Sequence, residues 1–186
     1  MFDFLRGVVF KKYLDSISLL TGGIGFKVHV PTHTLNEVEE GEEVGLFVEP
    51  VFPPEGTPIL YGFKTLEERE IFRELLKIPK VGSKIALSVL STFSPEELYE
   101  IFKTRDVELL SSVPGLGKKL SARIINELSG KFEGEVSIPV EVYEVLLSLG
   151  YKKGEILSSL KGINLRGMRT EDAVKEALKH LSGNRG

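Results

Sequence analysis

Two stretches of the chain, Ile78-Pro79-Lys80-Val81-Gly82-Ser83-Lys84-Ile85-Ala86-Leu87 and Val113-Pro114-Gly115-Leu116-Gly117-Lys118-Lys119-Leu120-Ser121-Ala122, can be laid over each other at an offset of 35 residues. Each reads as an apolar helix, a tight Pro/Gly turn, and a second apolar helix beginning at the last glycine. The chemistry open to such a turn is anion binding. Glycine permits positive φ and places no Cβ between backbone and ligand, and the first N–H groups of the next helix have no partner within it. The helix dipole adds favourable potential for negative charge. Lys84 in the first copy, and Lys118, Lys119 and Arg123 in the second, supply positive charge nearby. One such turn is ordinary joinery between antiparallel helices. Two copies related by pseudo-symmetry suit the two strands of a nucleic-acid duplex, gripped by their phosphates across the minor groove. Contacts of that kind read no base edge, so binding independent of sequence is expected. The candidate phosphate-binding residues are therefore Gly82, Ser83, Lys84, Gly115, Gly117, Lys118, Lys119 and Arg123. The first copy departs from the second at Lys80, which stands where the second has Gly115.

Other chemistries are poorly provided for. The 186 residues include no Cys, which excludes disulfides, thiolate zinc sites and thiol nucleophiles and favours an intracellular protein. His29, His33 and His180 are the only histidines, and no carboxylate spacing around them makes a metal site. The phosphate-cradling GxxxxGK[ST] loop, the HExxH helix, the GxSxG elbow and the DxDxDG loop are all absent. No apolar run approaches the roughly 18 residues of a membrane span, so a soluble, cytoplasmic protein with no membrane partner is expected. The net charge is −3, from 24 Lys and Arg against 27 Asp and Glu, so any attraction to nucleic acid has to be local.

The elements that position the turns follow from periodicity. Residues 1–63 read as five short strands, Phe4–Phe10, Ser16–Leu20, Gly25–Val30, Val44–Val51 and Ile59–Phe63, separated by turn residues; Pro31-Thr32 is one such turn and His33 falls in it. Five strands in about 60 residues suggest a small closed barrel of the OB type. From Thr65 the period becomes helical, with Leu66, Phe72, Leu75 and Leu76 on one face and Glu67, Glu68, Arg69, Glu70 and Arg73 on a solvated side. Helices are expected near 83–91, 95–102, 106–112 and 118–129, the second opened by a capping box from Ser94 to Glu97. Residues 131–138 read as a short linker. From Pro139 a three-helix bundle follows, its first helix carrying Val142, Val145, Leu146 and Leu149 on one face, its last capped by Thr170. The expected domains are 1–63, 64–130 and 139–186, joined at the last boundary by the linker. Residues 1–64 hold five bases against nine acids, while the remainder is close to neutral.

In this order and spacing, Leu5-Arg6-Gly7, Gly22-Gly23-Ile24-Gly25-Phe26, Leu60-Tyr61-Gly62-Phe63, the two turns, and Leu149-Gly150-Tyr151 make the chain resemble the RuvA family over nearly its whole length. The resemblance implies an α+β multidomain protein: an OB-fold β-barrel, a tandem helix-hairpin-helix domain and a mobile, UBA-like three-helix bundle. It implies a homotetramer, one or two of which hold a four-way DNA junction (Holliday junction) open and square-planar. The hexameric ATPase RuvB then drives branch migration in recombination and repair, and the RuvC resolvase is admitted as a further partner. A RuvA-like chain has no ATPase site and no cofactor of its own. Family members carry acids on a barrel loop at the junction centre, and Glu55 lies at that position. The next residue, usually a second acid, is Gly56 here. Leu146, Leu149 and Tyr151 match the family's RuvB-binding region.

Two other classes compete. A helix-hairpin-helix glycosylase or lyase pairs a Lys nucleophile with an Asp about twenty residues downstream. After Gly117 no Asp occurs until Asp172, and Asp106 suits an N-cap. A scaffold binding only proteins would use the same elements without phosphate contacts, and would lack the steep salt dependence that counterion release imposes.

Overall fold

A computed structural model describes residues 3–54, 56–132, 138–161, 163, 165 and 167–183. Five strands close into a barrel: β1 (Phe4–Lys12), β2 (Ser16–Thr21), β3 (Ile24–His29), β4 (Glu43–Val51) and β5 (Ile59–Phe63), in the order β1-β2-β3-β5-β4. β1 pairs with both β2 and β4, which closes the ring, and only β3 and β5 run parallel. Along β1 the side chains alternate as a half-buried strand requires, with Leu5 and Val9 inward and Arg6, Val8 and Phe10 outward. Gly22 and Gly23 (φ +56° and +83°) form the two-residue turn between β2 and β3, where both positions need the left-handed region.

A short helix, α1 (Thr32–Glu37), follows Pro31, where the sequence suggests only a turn, so His33 lies on a helix. Six residues are too few to display a period. Tertiary contacts tie α1 down: the Thr32 N–H donates to Ser91 Oγ, and His33 Nε2 lies 2.8 Å from the Glu68 carboxylate.

The central helices are α2 (Leu66–Leu76), α3 (Ser83–Thr92), α4 (Pro95–Thr104), α5 (Val107–Leu110) and α6 (Lys118–Leu128). Their core is continuous with the barrel. Tyr61 and Phe63 of β5 pack at a tilt against Phe72 of α2, with ring centroids 4.9 and 5.0 Å apart, in the cluster that holds Leu75, Val89, Leu90, Ile124 and Ile125. One predicted feature of α2 is reversed. Glu67, Glu68 and Arg69 are buried, because α2 is packed by neighbours on more than one side. Tyr99 Oη donates to Glu67, Glu68 completes a capping box with Thr65, and Arg69 donates to the carboxylate and carbonyl of Asp3 while lying over the Phe47 ring. Burial opposes ionisation of Asp3, but the Arg69 hydrogen bond and the charges of Arg69, Lys153 and Arg73 outweigh it and hold this carboxyl below its usual range.

The last three helices are α7 (Val140–Ser148), α8 (Lys153–Ser159) and α9 (Thr170–Gly183). Their core includes Phe47 of β4 and Leu66 of α2, so the bundle is seated on the barrel. The Leu66 N–H donates to the Ile138 carbonyl and the Val140 N–H to that of Lys64, both at 3.2 Å, and the Phe47 and Tyr143 rings meet at 5.4 Å. Of the stretch read as a linker, residues 133–137 lie outside the described residues. Phe132 before it stacks on Tyr99 and Phe102, and Ile138 after it is fully buried. The inward face of α7 is Val142, Tyr143 and Leu146, whereas Leu149 is 56% exposed.

Candidate nucleic-acid interface

The 35-residue offset recurs in the backbone hydrogen bonds. Ile78 N–H donates to Leu75 O, Val81 N–H to Ile78 O, and Ala86 N–H to Gly82 O. In the second copy Val113 N–H donates to Leu110 O, Leu116 N–H to Val113 O, and Ser121 N–H to Gly117 O. Burial repeats as well: Ile78 and Val113, Val81 and Leu116, Ala86 and Ser121, and Val89 and Ile124 are all buried. The two turns therefore share one fold, in which apolar side chains on either side anchor a loop whose glycines face outward. Gly82, Gly115 and Gly117 are all exposed.

The glycines are not equivalent. Gly115 has φ +83°, a conformation that favours glycine, and its counterpart Lys80 adopts nearly the same one at +74°. Gly82 and Gly117 are the N-caps of α3 and α6, with φ of −86° and −84° and extended ψ that any residue can adopt. A Cβ built at either position would meet no atom within 4 Å. The positive φ that the sequence suggests for glycine in these turns is thus found at Gly115 but not at Gly82 or Gly117, where neither conformation nor packing within the chain calls for glycine.

The starts of α3 and α6 also differ from those of the other central helices. At α2, α4 and α5 the N-caps Thr65, Ser94 and Asp106 each accept a backbone N–H, and acids occupy the first turn. At α3 and α6 no side chain caps the end and no acid lies in the first turn. Two positive helix ends are thus left open, beside exposed Lys84, Lys118, Lys119 and Arg123. Among the described residues Lys84, Lys119 and Arg123 have no ion-pair partner, whereas Lys118 Nζ lies 2.6 Å from Glu108 Oε1. Ser83 Oγ accepts a 2.8 Å hydrogen bond from Tyr61 Oη, so the barrel braces the first turn. Sequence reasoning missed that bond, for which no local signal exists. Asp106 is occupied as an N-cap, its Oδ1 accepting from Leu109 N–H at 2.9 Å.

Glu55 lies outside the described residues. In the bundle, Gly150 (φ +88°) ends α7 in a Schellman motif: its N–H donates to Leu147 O and that of Tyr151 to Leu146 O. Leu146 is wholly buried, Tyr151 packs against the same core, and Leu149 stands out from it. Of the three, only Leu149 offers a large apolar surface. Among the described residues no three His, Asp or Glu side chains are grouped to hold a metal ion, and no helix is long and apolar enough to cross a membrane.

Comparison with known proteins matches residues 1–62 to the RuvA N terminal domain, 72–129 to the SAM-like helix-hairpin-helix tandem and 141–182 to the RuvA C-terminal domain. The chain is 32% identical to the Holliday junction branch migration complex subunit RuvA of Alkaliphilus oremlandii, over 97% of this chain and 99% of that one. It is 35% identical to the subunit of the same name from Thermodesulfovibrio yellowstonii over the full length of both. The Thermus thermophilus protein is 36% identical, with 97% of this chain and 100% of the relative covered.

Proposed function

This chain belongs to the RuvA family, and on that premise we propose that it binds four-way DNA junctions through its two hairpins, as the non-catalytic subunit of a branch-migration complex acting in recombination and repair. The observation that carries this function is the pair Gly82 and Gly117. Both are glycine where the protein's own conformation and packing allow a side chain, and both sit at uncapped, acid-free helix starts. A phosphate approaching the open N–H groups explains the missing Cβ; packing within the chain does not. Lys84, Lys119 and Arg123 then neutralise phosphates, and Lys118 joins them by exchanging Glu108 for DNA.

The rest of the assignment follows the family. Four copies surround the junction, in one tetramer or two, with the acidic barrel toward its centre. There Glu55 repels phosphate and helps part the exchanging strands. The bundle engages the RuvB ATPase by a surface that includes Leu149, supported from beneath by Leu146 and Tyr151, and RuvC acts on the same junction. The chain works as three units, 1–63, 64–130 and 139–186.

The test is Gly82→Val and Gly117→Val. Each leaves the fold intact, with a loss of about 1 kcal/mol at most for a poorer N-cap, and each weakens binding to a four-way junction at least tenfold. Unchanged binding by both variants, or parent affinity insensitive to salt, rejects the phosphate-binding assignment. Strand scission or base release by the protein alone would favour the repair-enzyme class instead.

A further inference from the structure

We propose that Lys80 is a phosphate-binding residue of the first hairpin, supplying there the cation that the second hairpin takes from Arg123. The inference rests on the junction-binding function above and adds a residue outside the candidate set read from the repeated turns.

Its basis is the inequality of the two copies. At the 35-residue offset Lys84 corresponds to Lys119, but Ser83 corresponds to Lys118 and Ser88 to Arg123. The first hairpin thus lacks two cations of the second. Lys77, just upstream, does not replace them, because its ammonium is paired with Glu74. Lys80 is exposed, and among the described residues it has no ion-pair partner. With Lys80 and Lys84 the first hairpin presents two unpaired cations, matching Lys119 and Arg123 in the second.

Its backbone adds an independent sign. Lys80 has φ +74°, in the left-handed region where an L side chain crowds the neighbouring carbonyl, while the same position in the second copy is glycine. A non-glycine residue held in that conformation stores strain that glycine would relieve, and strain of this kind gathers at functional sites. In a duplex held by one hairpin per strand, a hairpin with a single free cation would grip its strand more weakly. The side chain at position 80 gives the first hairpin as many unpaired cations as the second, at the expense of local backbone ease.

The experiment compares Lys80→Gly, Lys80→Asn and Lys80→Arg in the full-length chain, with Lys119→Ala as reference, using a synthetic four-way junction across a range of salt. Glycine and asparagine both tolerate the left-handed region, so these variants unfold at or above the parent's temperature. Their affinity falls about eightfold at 0.1 M salt for each Lys80 engaged, the factor that one phosphate contact with a log–log slope of about 0.9 gives over a decade of salt. Lys80→Arg retains the parent slope. Parent-like affinity and slope in both Lys80→Gly and Lys80→Asn, with Lys119→Ala weakened, overturn the role of Lys80 alone. Parent-like binding by Lys119→Ala as well shows that the hairpin assignment itself has failed, and the proposal with it.

Discussion

Tyr61 on β5 and Ser83 in the first turn of α3 are joined by a 2.8 Å hydrogen bond, the tyrosine hydroxyl donating to Ser83 Oγ. The bond crosses from the barrel wall to the first hairpin, and the Tyr61 ring is itself buried against Phe72. The open N–H groups of α3 are therefore oriented by the barrel as well as by their own helix pair. Tyr61→Phe keeps the ring packing and deletes the bond, and should lower stability by about 1 kcal/mol. Ser83→Ala should do the same, with the double variant no worse than either alone, a coupling measurable in a denaturation cycle. Junction affinity should fall in all three.

The Lys118–Glu108 pair is largely exposed on both sides and so contributes little to stability. On the proposed phosphate contact its effect is on binding, because Glu108 both engages Lys118 and adds negative charge that would repel DNA. Glu108→Gln should leave the unfolding midpoint unchanged and tighten junction binding, with the gain shrinking as salt is raised. An affinity equal to the parent's at low salt would show that Lys118 is not a phosphate contact.

Leu146 and Leu149 separate folding from the proposed docking on RuvB. Leu146 is fully buried, so Leu146→Ala should destabilise the bundle by about 2–5 kcal/mol. Leu149 is 56% exposed, and Leu149→Glu should fold normally and bind junctions as the parent does, while failing to stimulate RuvB. Stimulation retained by Leu149→Glu would remove this residue from the motor contact.

The seat of the bundle on the barrel is testable at Gly45, where any Cβ would lie 2.8 Å from Val140 Cγ1. Gly45→Val should displace α7, seen as faster amide exchange over Val140–Leu146 and a larger radius of gyration, with junction binding preserved.

Asp3 gives the same region a pH dependence. Its folded pKa lies below the ordinary value of 3.8, so the carboxylate contributes stability above that value, and the contribution is lost as pH falls through the folded pKa. Asp3→Asn should lower stability by about 1 kcal/mol at pH 7, discounted because the Asp3 side chain is 45% exposed. In acid-unfolding curves the variant's deficit should shrink as pH falls through the folded pKa of Asp3, and parent and variant should converge below it.

The hairpins were legible in the chain because a local motif encodes them: a helix, a Pro/Gly turn and a helix, written twice at one spacing. The strands and most helices were legible for the same reason, since periods of 2 and 3.6 depend on neighbours within one element. What escaped were features set by contacts between distant residues. Arg69 belongs to a charged face by its period, yet its guanidinium is buried because Asp3, sixty-six residues earlier, meets it beside the Phe47 ring. Gly82 and Gly117 have the composition of turn residues, but their torsions reveal that the turn does not need them, and a torsion is visible only in three dimensions. Residue order alone determined the repeated turns, the basic side chains beside them and the family to which they belong. Tertiary structure alone decided which helix ends stay uncapped, which lysines remain unpaired and where the bundle rests, because each depends on which side chains meet in space.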